Sequence, residues 1–110
     1  MHSNSDKAVV FITVSTEQEA EKISRLLVEQ RKAACVNIVP QVHSLFWWHG
    51  KVDSAEERLL IAKTRTALLP EIIELVKKAH SYEVPEIIAL PIIGGNESYL
   101  AWVDEETEQR

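Results

Sequence analysis

The segment from residue 33 to residue 64 sets the strongest limit on how this chain can fold. Two β-rich runs, Ala33–Trp48 (AACVNIVPQVHSLFWW) and Lys51–Thr64 (KVDSAEERLLIAKT), are separated only by His49-Gly50, which reads as a hairpin turn. Each run is 14 to 16 residues long, whereas a typical strand has ~5–6. At ~3.3 Å per residue each strand reaches about 50 Å. A compact domain of this length has a radius of gyration of about 13 Å. The tip of the hairpin must therefore overhang the body, unless the hairpin bends back onto its own sheet. Strand alternation sends Leu45 and Trp47 to one face and Phe46 and Trp48 to the other. A ribbon that is apolar on both faces is a poor surface for a monomer and suits burial between subunits. Pro40 cannot donate to a ladder, which predicts a bulge or a sheet edge at that point.

The remaining segments are shorter. Ala8–Val14 (AVVFITV) reads as a buried strand. Thr16 and Glu19 have the spacing of a capping box, and Ala20, Ile23 and Leu27 then recur at helical spacing, predicting a helix over 17–30. A second helix is expected from Thr66 to His80-Ser81, with Pro70 in its first turn and Leu69, Ile72, Ile73 and Val76 as its buried stripe. Glu86–Ile93 (EIIALPII) reads as a fourth strand ended by Gly94-Gly95. Asn96 can cap a last helix over 97–107, with Leu100 and Val103 inward. The order βαββαβ plus a terminal helix predicts an α+β, ferredoxin-like fold. Right-handed crossovers then give an antiparallel four-stranded sheet with two helices on one face.

Composition narrows the class. A chain of 110 residues has room for one domain, expected over 7–110 behind a loose tail at 1–6. With 45% hydrophobic residues it can build a core without staples, although at this size oligomerisation helps. The single Cys35 forbids an intrachain disulfide and suits a reducing compartment. The polar start, Met1 to Lys7, has no apolar signal-peptide core. No apolar run approaches the ~20 residues of a membrane span. The expectation is a cytoplasmic protein with no membrane partner. A net charge of −5 disfavours a nucleic-acid partner, since Lys and Arg supply most non-specific affinity for phosphates.

Five stretches, taken together and in order, resemble the CutA family of divalent-cation-tolerance proteins. They are KAACVNI at 32–38, SLFWWHGKVDSAEE at 44–57, LLIAKT at 59–64, HSYEVPEIIALPI at 80–92 and GNESYLAWV at 95–103. The resemblance implies a homotrimer whose long hairpins, including Leu45, Phe46, Trp47 and Trp48, pack between subunits. It also implies an architecture similar to the PII-like signalling proteins, and a role in tolerance of copper and other divalent metals, with copper binding in some members.

Among the site candidates, His80 lies at the end of the second helix, close in sequence to Glu83 and Glu86, and imidazole with carboxylates can hold copper or zinc. A histidine that favours the helix dipole is the alternative. Some bacterial members of the family have Cys where this chain has Ile12 and a second His where it has Ala79, so only His80 matches that copper set. Cys35 reads as a small core residue, or as a soft-metal ligand if it faces a subunit boundary. His43 and His49 are about 20 Å apart along a strand and cannot share an ion within one chain. Glu57, Lys63, Tyr82 and Trp102 belong to the matching stretches and are candidates for a polar cleft between subunits.

No enzyme class finds support in the residues. Acylphosphatase shares the fold class but needs an Arg in an anion-binding loop after the first strand, where this chain has Ser15-Thr16-Glu17-Gln18. No Walker loop, dinucleotide fingerprint or GxSxG elbow occurs. The third strand lacks the stacking aromatics of an RNA-reading sheet. The expected function is a non-enzymatic metal-tolerance trimer, with PII-like small-ligand signalling or a purely structural, anchoring trimer as the alternatives. No cofactor is implied beyond Cu²⁺ or another divalent metal.

Overall fold

The computed structural model describes residues 6–109. Its elements are β1 (Lys7–Val14), α1 (Glu17–Glu29), β2 (Cys35–Trp48), β3 (Lys51–Arg65), a 3₁₀ turn (Thr66–Leu68), α2 (Leu69–Ala79), β4 (Ile87–Pro91) and α3 (Glu97–Glu106). The four strands form one antiparallel sheet in the order β2-β3-β1-β4. This is the ferredoxin-like arrangement expected from the element order.

The core lies between the sheet and the first two helices. Val10 opposes Ala62 and Ile12 opposes Leu60 across the β1–β3 ladder. These four pack with Ala20, Ile23 and Leu27 of α1 and with Ile72 and Val76 of α2, all buried. Leu69 is only partly buried, because a 3₁₀ turn precedes α2 and places Pro70 in the first helical turn, where no backbone N–H is required. The other face of the sheet carries Val9, Phe11, Leu59, Ile61 and Lys63. α3 covers its Lys7–Arg65 end: Val103 is buried, Arg65 Nε donates to Thr107 Oγ1 at 2.9 Å, and Lys7 pairs with Asp104 at 3.1 Å.

Helix α1 is closed at both ends. The Thr16 hydroxyl accepts from Glu19 N–H at 3.1 Å. Glu19 answers one residue further out than a standard capping box, accepting the N–H of Ser15 at 3.2 Å. At the other end Arg31 takes a left-handed conformation (φ 59°), and Lys32 N–H reaches back to Leu27 C=O at 2.9 Å, the Schellman closure.

The hairpin strands have the residue counts expected from sequence, but the molecule's long axis is 43 Å, so the hairpin falls short of the ~50 Å of a straight strand. β2 has 14 residues and β3 has 15. The molecule measures 43 × 29 × 22 Å, with a radius of gyration of 14.7 Å, above the ~13 Å of a compact chain. Pro40 sits both on an edge strand and in a bulge: Val39 opposes Leu59 and Val42 opposes Glu57, so Pro40 and Gln41 together face Arg58. The extra residue reverses which β2 positions share a face with the core. Cys35 and Asn37 lie on the open face before the bulge, and Val42, Phe46 and Trp48 lie on it afterwards. His49 is not on a strand face. It occupies the turn with φ 51°, followed by Gly50 at φ 78°, and its ring meets Trp48 at 4.6 Å.

The tail expected at 1–6 falls mostly outside the described residues, as does His2. Asp6 is tied to the domain, its carbonyl accepting from Thr66 N–H at 2.8 Å.

Candidate functional site

Three groups of side chains come out of this scaffold. The first is the strap that follows α2. His80 caps the helix, its N–H bonded to Val76 C=O at 2.9 Å, and its side chain is fully enclosed. Tyr82 N–H donates to His80 Nδ1 at 3.0 Å, so the ring proton sits on Nε2 and is donated to Thr13 C=O at 2.7 Å. Glu19 ties the same strap to the start of α1. Its Oε2 accepts Ser81 N–H at 2.6 Å and lies 3.7 Å from His80 Nδ1. Burial pushes the Glu19 carboxyl up, but the N–H groups of Ser81 and Ser15 outweigh it and hold the group below the ordinary carboxylate range. Tyr82 completes the strap by donating its hydroxyl to buried Glu57 at 2.8 Å. Burial and the adjacent Glu57 push the Tyr82 phenol up to about 12.

The second group surrounds Cys35, which lies directly opposite Lys63. Lys63 Nζ donates to Asn37 Oδ1 and stands 3.9 Å from Cys35 Sγ. Burial, then the neighbouring Cys35, push Tyr99 up, and the Tyr99 ring lies 5.5 Å from that of Trp102. The expected cleft residues thus fall into two sets, Glu57 with Tyr82 and Lys63 with Trp102. Glu57 and Lys63 are six residues apart on β3, or about 20 Å.

The expected metal ligands are also dispersed. His80 is in the strap with both ring nitrogens engaged inside the chain, Glu83 and Glu86 are exposed, and Cys35 lies at the Lys63 end of the sheet. Among the described residues no three His, Cys, Asp or Glu side chains gather to hold a metal ion. This set does not fit a metal within one chain.

The third group is the hairpin tip. Leu45 is 69% exposed, Trp47 75%, Trp48 59% and Val52 61%, and Phe46 is also exposed. Leu45, Trp47 and Val52 share one face, and Phe46 and Trp48 the other. The open face beyond it adds exposed Ile88 and Leu90 of β4.

The model of the CutA1 divalent ion tolerance protein family matches residues 8–106. The chain belongs to that family. It is 52% identical over 99 residues to the divalent-cation tolerance protein CutA of Thermus thermophilus, covering 90% of this chain and 96% of that one. It is 46% identical over 101 residues to the chloroplastic protein CutA 1 of Oryza sativa, covering 92% of this chain and 57% of that one. The chain therefore spans little more than half the length of its plant relative. CutA structures superpose closely. The T. thermophilus protein gives a TM-score of 0.91 at 50% identity, covering 93% of this chain and 99% of that one. The rice protein gives 0.93 at 43%, covering 99% and 100%. The family is named for tolerance of divalent ions rather than for a reaction.

The comparisons overturn one expectation. The rice CutA is named chloroplastic, and the CutA of Archaeoglobus fulgidus, with a TM-score of 0.90 at 42% identity over 93% of this chain and 99% of that one, is described as periplasmic. A cytoplasmic location does not follow from this chain's composition. One cysteine cannot form an intrachain disulfide in any compartment, so its presence carries no information about redox surroundings.

Proposed function

We propose that this chain acts as a non-enzymatic, homotrimeric divalent-cation tolerance protein, with copper among the ions it binds. The observation that carries the reading is the exposed hairpin tip, aromatic on both faces. Burying a large apolar side chain stabilises by ~1.5–3 kcal/mol. Five of them, repeated in each subunit, are of the size needed to offset an association cost of ~4–15 kcal/mol. Family membership supports the metal role. Glu57–Tyr82 and Lys63–Trp102 flank opposite ends of the open face, and the reading for them is a seam at which neighbouring subunits bring the two sets together. Native mass spectrometry with and without Cu²⁺ tests the proposal. The expected species is three times the 12.5 kDa chain, with copper bound. A folded single chain that takes up no copper would contradict it.

A further inference from the structure

The open face of the sheet carries two side chains of opposite charge, each without a counter-ion in its own chain. Glu57 of β3 is buried, 7% exposed, and its Oε2 accepts the Tyr82 hydroxyl at 2.8 Å. No Lys, Arg or His pairs with it among the described residues. Its other oxygen, Oε1, has no hydrogen-bond partner there and stays reachable from outside the chain. The neighbouring carboxylate differs. Glu56 points to the opposite face, where His43 Nδ1 at 2.5 Å and Gln41 Nε2 at 3.2 Å engage both of its oxygens. Six residues beyond Glu57, and on its face, stands Lys63. It is half-buried, its Nζ donates to Asn37 Oδ1, and it meets no carboxylate among the described residues. The other two cations of that face are engaged: Lys7 pairs with Asp104 at 3.1 Å, and Arg65 Nε donates to Thr107 Oγ1 at 2.9 Å. Between Glu57 and Lys63 the face is apolar, with Leu59 and Ile61 of β3 beside Phe11 and Val9 of β1. Charged groups taken out of water need a partner of opposite sign. About 20 Å of strand separates these two, so one chain cannot pair them. A second copy offers the complementary surface, with a Lys to meet the Glu and the same apolar ground between.

We infer that the Lys63 ammonium of one copy binds the Glu57–Tyr82 pair of the next. Each copy gives one cation and takes one, so the contact runs head to tail and closes as a ring. The inference rests on the trimer reading above and gives that trimer its direction. The pair sets the register of the seam, as charges at an interface do, while the apolar ground between supplies burial. Carbodiimide, which joins an amine to a carboxylate with no spacer, tests it on the wild-type chain. An amide between Lys63 and Glu57 is expected in the digested product, and their separation within one chain makes it a contact between copies. A trimer in which Lys63 joins Glu83, Glu86 or no carboxylate overturns the pair and leaves the trimer standing. A wild-type chain of monomer mass overturns both. Charge exchange gives a second measurement, read as solution mass on dilution with folding checked by circular dichroism. Lys63→Glu and Glu57→Lys are each expected to dissociate at about tenfold higher concentration than wild type, or more. Lys63→Glu/Glu57→Lys in one chain is expected to recover the wild-type mass. An equimolar mixture of the two single variants is not, because a ring of three always leaves like charges at one contact. Recovery in that mixture overturns the head-to-tail contact, since it fits a two-fold pair instead. If Glu57→Lys does not fold, Lys63→Glu and the cross-link still decide: wild-type dissociation in the first, with no Lys63–Glu57 amide in the second, overturns the inference.

Discussion

At the scale of single residues, His80 shows how a position that reads as a ligand becomes structural. Its spacing to Glu83 and Glu86 was visible in the sequence. Its two hydrogen bonds were not, because Thr13 is 67 residues away and the bond goes to a backbone carbonyl. Sequence patterns report side-chain types and say nothing of backbone acceptors brought in by the fold. His80→Ala leaves the Thr13 carbonyl and the Tyr82 N–H without partners in a closed site, and is expected to cost on the order of 2–4 kcal/mol in chemical denaturation. Tyr82 gives a second test. Its folded pKa lies above the ordinary value of 10 at about 12, so the fold favours the protonated phenol. The stability this contributes is intact below about pH 10 and is lost as pH rises towards about 12. Tyr82→Phe is expected to flatten that alkaline loss, measured as the denaturation midpoint against pH. Glu19 was legible only as a capping residue. Its second role, holding Ser81, depends on α1 and α2 lying side by side, which local spacing does not encode.

At the scale of elements, periodicity carried most of the fold. The α1 stripe of Ala20, Ile23 and Leu27 is buried as its spacing requires. Leu100 of α3 is less buried than Val103, because α3 covers only one end of the open face. The bulge at Pro40-Gln41 was signalled by the missing N–H of Pro40. Its consequence, the reversal of faces along β2, follows only once the pairing with β3 is known. The pairing of His43 with Glu56 was within reach of the sequence, since a two-residue turn at His49-Gly50 sets those positions opposite each other. Reading the two histidines against one another instead of across the hairpin hid it. The turn itself is testable. His49 takes a left-handed conformation that costs a residue with a Cβ about 1–2 kcal/mol, less for Asn. His49→Asn is expected to raise stability by about 0.5–1 kcal/mol in thermal or chemical unfolding.

At the scale of the whole molecule, the account turns on surface that one chain leaves uncovered. The hairpin tip exposes two tryptophans on opposite faces, and the open face of the sheet adds Ile88 and Leu90. Strand length and alternation made the overhang legible from sequence, because both are local. In the proposed trimer a second chain covers it, and no pattern within one chain encodes that. The divided polar sets around Glu57 and Lys63 suit the same proposal, in which a seam between copies brings the two ends of the sheet face together. The decisive measurement is the solution mass, by size exclusion with light scattering, of the wild-type chain and of Trp47→Ala/Trp48→Ala, with helix content followed by circular dichroism. The account predicts about three times 12.5 kDa for the wild type and a folded 12.5 kDa chain for the double variant. A folded wild-type monomer across the whole concentration range, or a double variant that assembles as the wild type does, would contradict it.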